Sequence, residues 1–92
     1  MKLSWDEAKR QATRVERGLD FASAGELFDG LHFTEEDARK DYGERRYISA
    51  GNVSGRLCAV VWTPRDSKRH IISMGKANDR EQKRFKIPAE QG

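Results

Sequence analysis

The spacing of apolar residues near the start of the chain predicts a first helix. Ser4 and Glu7 are placed to form a capping box at its beginning, and Gly18 is placed to end it in a left-handed conformation. One apolar stripe at helical intervals would then consist of Trp5, Ala8, Ala12 and Val15.

A second, shorter helix is predicted over residues 21–28, and Asp29-Gly30 ends it. Its apolar face would consist of Phe21, Ala24, Leu27 and Phe28, while Gly25 weakens it. Residues 31–33 suggest a short strand. The polar residues 34–44 suggest a loop that has room for one helical turn.

The second half of the chain predicts three strands joined by tight turns. Residues 46–51 alternate between two faces, and residues 56–63 are apolar on both faces, which is typical of a central strand covered on two sides. Residues 68–74 form the last strand. Because the connecting turns at residues 52–55 and 64–67 are short, the strands are expected to be antiparallel.

A final helix is predicted to begin after Asn78, which caps it together with Glu81, and Pro88 limits it. Residues 87–92 suggest a loose tail. The predicted fold class is α+β: one domain over residues 1–92, with two N-terminal helices, a small antiparallel sheet and a C-terminal helix, the helices packing on one face of the sheet.

Composition narrows the choice of partners. The 92 residues carry a formal net charge of +3 and a pI of about 9.2, which favours a polyanion or an acidic protein. Cys58, the single cysteine, cannot form an internal disulfide and is expected to be a buried apolar residue. No apolar leader and no run long enough to span a membrane is visible, so a cytoplasmic protein without a membrane partner is expected.

The candidate chemistry lies in basic residues. His32 and His70 lack ligand spacing and no nucleotide-binding motif is present, so we expect neither a metal nor a cofactor. Arg46, Arg56 and Lys76 are expected to come close together on the sheet. Such a cluster could bind phosphates and stabilise the transition state of metal-free RNA cleavage, or it could simply keep a small domain soluble. Trp62 is expected to pack under a helix rather than to stack on a base.

Three segments, taken in order, resemble one known family. WDEAKRQATRVERGLDFASAGELFDG resembles the N-terminal signature of BrnT-type toxins. GERRYISAGNVSGRLCAVVWT resembles their central motif, and IISMGKANDRE resembles their C-terminal motif. The similarity runs from about Ser4 to Phe85, and the ordered set is specific although no single piece is decisive.

The resemblance implies a RelE-like fold and a ribonuclease toxin of a type II toxin–antitoxin system that stops translation. It also implies a BrnA-type antitoxin as partner, RNA as substrate, and contact with operator DNA only through the antitoxin. By motif position, Arg46, Arg56 and Lys76 would bind phosphate and stabilise transition-state charge. Glu81 could accept a proton, but its capping role competes and is preferred.

The chain also departs from the family pattern. Thr13 replaces an asparagine, Glu16-Arg17 replaces a Lys-His pair, and His70 replaces an arginine. Gly75 replaces another arginine, a loss worth about 2–4 kcal/mol of transition-state stabilisation if that arginine stabilised charge. We therefore expect an attenuated toxin. The alternatives are a non-catalytic antitoxin-binding module that acts in transcriptional autoregulation, and a basic RNA-binding domain without toxicity.

Overall fold

The computed structural model describes residues 2–85, which form one five-stranded sheet and three α-helices. The predicted tail at residues 87–92 and the predicted helix limit at Pro88 lie outside this range. The strand order across the sheet is β1-β5-β4-β3-β2. Along the chain the elements are β1 (Lys2–Trp5), α1 (Glu7–Arg17), a 3-10 helix (Phe21–Ser23), α2 (Ala24–Asp29), β2 (His32–Glu36), β3 (Tyr47–Val53), β4 (Arg56–Arg65), β5 (Lys68–Lys76) and α3 (Asp79–Phe85).

The N-terminus corrects two predictions. Ser4 and Trp5 belong to strand β1, which pairs with β5 in parallel, so the sheet is mixed rather than wholly antiparallel. The capping box of Ser4 and Glu7 was wrong. Asp6 caps α1 instead, accepting hydrogen bonds from the backbone N–H groups of Ala8 and Lys9. The extended segment satisfies its backbone groups along the free edge of β5, a gain that local helix signals do not reveal.

Helix α1 does not bury its apolar stripe, so that prediction was also wrong. Ala8 and Ala12 are exposed, and Val15 is 86% exposed. Polar contacts hold the helix instead: the Arg10 guanidinium donates to Asp20 at 2.7 Å and lies over the Trp5 ring. The predicted stop is confirmed, because Gly18 has a φ of 67° and its N–H donates to the Arg14 carbonyl.

The second helical segment forms the core, as its spacing predicted. Phe21, Ala24 and Leu27 are buried against the apolar side of β4 and β5. The segment begins as a 3-10 helix, capped by Asp20, and continues as α2 to Asp29. Buried partners from the sheet include Cys58, Val60, Ile71 and Met74.

The central hairpin forms where it was predicted, but its turn is shorter, because residues 52 and 53 belong to β3. Ser54 and Gly55 form its turn with φ values of 51° and 77°, the left-handed pair that tight hairpins require. Strand β4 lies between β3 and β5, and Trp62 is buried in it as predicted. The Trp62 ring stacks on Tyr47 at 5.0 Å, and its Nε1–H donates to the Ser49 hydroxyl.

Two further predictions fail in part: the loop over residues 34–44 and the packing of all helices on one face of the sheet. Residues 34–36 extend β2 instead of starting a loop, and no helical turn forms over residues 37–46. The prediction that the helices all pack on one face of the sheet was wrong, because α3 reaches the face opposite α2. Thr34 hydrogen-bonds to Ser49, which in turn accepts a bond from Trp62, so these three side chains share the face that α2 covers. Because neighbouring residues of a strand point to opposite faces, Glu35 points to the other face. There it pairs with Arg84 of α3 at 3.0 Å.

Candidate functional site

Arg56 and Lys76 lie at the same end of the sheet. Arg56 begins β4 directly after the hairpin turn, and Lys76 ends β5. Lys76 pairs in register with Cys58, two residues along β4 from Arg56. Diagonal pairs of this kind point to the same face, roughly 7–8 Å apart. Both side chains are exposed, so two accessible cations stand side by side.

The residue beneath this pair is not chemically reactive. Cys58 is fully buried, as predicted. Burial raises the pKa of the Cys58 thiol, and the positive charges of Arg56 and Lys76 only partly oppose that rise. A thiol protonated at neutral pH and shielded from solvent is a poor nucleophile.

A third cation, Arg17, reaches the same end of the sheet from α1. Its Nη1–H donates to the backbone carbonyl of Met74 at 2.9 Å. A groove of about 430 Å³ lies between the end of α1 and the end of β5, lined by Glu16, Arg17, Leu19, Gly75 and Lys76. Sequence reasoning treated position 17 only as a lost histidine. The sequence feature that could have drawn attention to Arg17 is its position directly before Gly18, which places it at the end of α1.

We call Arg17, Arg56 and Lys76 the basic cluster. Among residues 2–85, none of the three forms an ion pair with a carboxylate. Most other arginines in this range do, namely Arg10, Arg14, Arg39, Arg45, Arg46, Arg65 and Arg84. Two acidic groups lie nearby: Glu16 lines the groove, and Glu26 accepts a hydrogen bond from the Ser54 N–H. The basic cluster therefore retains positive charge that faces solvent.

Arg46 does not join this cluster. It directly precedes Tyr47, which pairs with Trp62, whereas Arg56 pairs with Val53 at the other end of β3. Six residues of extended strand separate the two positions by about 20 Å. The expected proximity of Arg46 and Arg56 was wrong, because residues near opposite ends of a hairpin are far apart. Arg46 instead stacks over Tyr42 at 4.0 Å and pairs with Glu44 at 3.5 Å.

Glu81 occupies the predicted capping box. Its Oε1 accepts a hydrogen bond from the Asn78 N–H at 2.9 Å, while the Asn78 Oδ1 accepts one from the Glu81 N–H at 2.8 Å. These reciprocal bonds satisfy two backbone donors at the start of α3. One carboxylate oxygen of Glu81 is thus committed to the helix start.

The two histidines have separate local partners. His70 Nδ1 lies 3.0 Å from the Ser4 hydroxyl, and burial lowers the pKa of His70. His32 Nδ1 lies 2.9 Å from the Gly30 carbonyl. Residues 2–85 contain no group of three or more His, Cys, Asp or Glu side chains arranged to hold a metal ion. None of the helices described is long and apolar enough to cross a membrane.

A family model described as "Ribonuclease toxin, BrnT, of type II toxin-antitoxin system" matches residues 5–81. The chain belongs to the BrnT family. It is therefore a ribonuclease toxin of a type II toxin–antitoxin system, and a toxin of this kind has an antitoxin protein as its partner. The matched region contains the whole basic cluster and the α3 capping box. A comparison with curated proteins finds no match.

Proposed function

We propose that this BrnT-family toxin is a metal-independent endoribonuclease that binds and cuts RNA at the basic cluster and so inhibits translation. The observation that carries the proposal is the set of three cations at one end of the sheet, without carboxylate partners among the described residues. An RNA backbone presents one negative charge at each phosphate. Adjacent cations without internal partners can therefore bind successive phosphates or both free oxygens of one phosphate.

The proposed reaction is an internal transesterification. The 2′-oxygen attacks the adjacent phosphorus, a P–O2′ bond forms, and the P–O5′ bond breaks. One proton leaves the 2′-hydroxyl and one joins the departing 5′-oxygen, which gives a cyclic phosphate and a 5′-hydroxyl. Arg56 and Lys76 would bind the phosphate oxygens, where negative charge grows in the transition state. Positive side chains supply the charge stabilisation that a metal ion supplies in other nucleases.

Arg46 and Glu81 take different places in this proposal. Since Arg46 lies about 20 Å along the hairpin, we place it outside the site of the cleaved phosphate. Glu81 serves as the cap of α3, because its Oε1 is already bonded to the Asn78 backbone. Its second carboxylate oxygen would be the only part of Glu81 left to accept a proton.

The proposed antitoxin is of the BrnA type and neutralises the toxin by covering the basic cluster. An acidic antitoxin segment would bind the same three cations that RNA would bind, so the two ligands would compete. Operator DNA would be contacted through the antitoxin. This proposal is supported by the exposure of all three cations, which gives an antitoxin segment direct access to them.

The test is growth of cells that express this chain alone, compared with Lys76→Ala and Lys68→Ala. Both lysines are exposed residues of β5, but Lys68 begins the strand and Lys76 ends it. Lys76→Ala should relieve growth arrest and lower RNA cleavage by about a hundredfold or more, while Lys68→Ala should leave both unchanged. The purified chain should cut RNA equally well with and without EDTA. Folded, soluble protein that never cuts RNA would refute the enzyme proposal.

A second candidate function is a non-catalytic module that binds the antitoxin and acts in autoregulation. It is favoured by apolar side chains exposed at the edge of the sheet: Leu31 is 66% exposed and Phe33, on the edge strand β2, is 46% exposed. Exposed apolar residues on a sheet edge are typical of protein contacts. A tight antitoxin complex together with a toxin inert towards RNA would favour this candidate.

A further inference from the structure

We infer that Arg17 is a phosphate-binding residue of this site and that its guanidinium does the work of the arginine missing at position 75. The inference rests on the proposed function and gives a role to a position at which this chain departs from the family motif. It also changes the expectation for Gly75, because the site would not have lost a cation but would have received one from a different element.

Arg17 lies where the end of α1 meets the end of β5. It is the last residue of α1, and the left-handed Gly18 ends the helix directly after it. The side chain then reaches the end of β5, where its Nη1–H bonds to the Met74 carbonyl at 2.9 Å. That bond uses one of the five N–H donors of a guanidinium. It also fixes the group without neutralising it, since the acceptor is an uncharged carbonyl.

The space at Gly75 is occupied in part by the Arg17 guanidinium. A Cβ atom at this position would lie 3.2 Å from the Arg17 Nη1, closer than side chains normally pack. Gly75 lies in β5 and its φ is not left-handed, so the backbone does not require glycine there. What the missing side chain provides is room for Arg17. A side chain at position 75 would therefore require the Arg17 guanidinium to move by at least a few tenths of an ångström.

The groove beside Arg17 contains a second cation. Arg17 and Lys76 line the same groove, together with Leu19 and Gly75. Glu16 also lines the groove, but it forms no ion pair with either cation among the described residues. A phosphate in this groove would therefore have both a guanidinium and an ammonium among the groups that line it. This is the pairing of a planar donor with a point charge that suits phosphate.

The test compares Arg17→Gln with Lys9→Gln, which removes the same charge from an exposed position in the first turn of α1. Binding would be measured with a fluorescent 2′-O-methyl RNA oligonucleotide, whose blocked hydroxyls prevent cleavage, over a range of salt concentrations. Arg17→Gln should reduce the slope of log K against log salt by about 0.7, and Lys9→Gln should not. Cleavage of unmodified RNA should fall at least about tenfold for Arg17→Gln only.

A swap separates phosphate binding from a structural role. Gly75→Arg alone should not raise activity, because the new side chain crowds the Arg17 guanidinium. The double variant Arg17→Gln/Gly75→Arg should recover most of the cleavage rate and the full salt slope. If the double variant stays as weak as Arg17→Gln, then Arg17 only fastens α1 to β5 and the inference is overturned. Activity raised by Gly75→Arg alone would overturn it as well and would support attenuation.

The two proposals can fail separately. If the unchanged chain cuts RNA and Arg17→Gln cuts it equally well with the same salt slope, only the role of Arg17 is refuted. If the unchanged chain neither cuts nor binds RNA, the proposed function itself is refuted. Arg17→Lys, which keeps the charge and a donor for the Met74 carbonyl, should retain the salt slope, and thermal melting of each variant shows that the comparison is made on folded protein.

Discussion

Substituting alanine at Gly51 should destabilise the protein, because this glycine of β3 lies directly against Leu27 of α2. A Cβ atom at Gly51 would lie 2.9 Å from the Leu27 Cγ, 3.1 Å from the His32 Cβ and 3.2 Å from the Leu31 carbonyl oxygen. No rotamer change relieves all three contacts, since one of them is backbone. Overpacking of this kind costs about 1–3 kcal/mol in the free energy of unfolding.

Gly25→Ala makes the same chemical change at a site with space. Gly25 lies in α2, and its new methyl group would meet only the Leu3 Cδ1 at 4.0 Å, an ordinary contact. Replacing a helical glycine removes freedom from the unfolded chain and should stabilise the protein by about 0.4–1 kcal/mol. The two variants should therefore differ by between about 1.4 and 4 kcal/mol, with opposite signs relative to the unchanged protein.

Urea unfolding followed by tryptophan fluorescence measures both effects, since Trp62 is buried in the core and Trp5 packs against the outside of that core. The midpoints should move in opposite directions at an unchanged m-value. A change smaller than about 0.5 kcal/mol for Gly51→Ala would refute the reasoning, because it would mean that α2 shifts freely on the sheet. A destabilised Gly25→Ala would refute the argument that this position has room.

Glu81→Gln should leave RNA cleavage and stability unchanged, since glutamine also fits the capping box. Glu81→Ala should lower the free energy of unfolding by about 1 kcal/mol. Lost cleavage in a stable Glu81→Gln variant would instead identify Glu81 as a proton acceptor. Cys58 should react with a thiol reagent only as the protein unfolds, and rapid labelling of native protein would contradict its burial. Hydrogen bonds from Arg10 lower the pKa of Asp20 from 3.8 to about 2. The Asp20 carboxylate therefore stabilises the fold above pH 4 and loses that contribution as the pH falls towards 2. Asp20→Asn should flatten this part of an acid unfolding curve.

Local signals in the sequence were reliable where neighbours along the chain supply the whole structure. The Gly18 stop, the turn at Ser54 and Gly55, and the capping box of Asn78 and Glu81 each depend on only a few consecutive residues. The same holds for the apolar spacing of the α2 segment, whose buried residues match the predicted face. The order of three motif segments was also sufficient to indicate the family.

Contacts between distant parts of the chain could not be read in this way. Trp5 fitted a helical stripe, yet it pairs with Ile71 in a parallel strand, because the free edge of β5 offers backbone partners that no local pattern reveals. Arg46 and Arg56 both fitted a basic motif, yet the register of the hairpin separates them.

By itself the sequence determined the end of α1, the start of α3, the hairpin turn, the buried face of the α2 segment and the family, since each follows from the chemistry of nearby residues. Only the tertiary structure decided which cations meet. Arg17 joins Arg56 and Lys76 because the end of α1 packs beside the end of β5, and the absence of a side chain at Gly75 leaves the space that Arg17 fills. A site made from the ends of three separate elements is a property of their packing, and a linear pattern of charges does not contain that information.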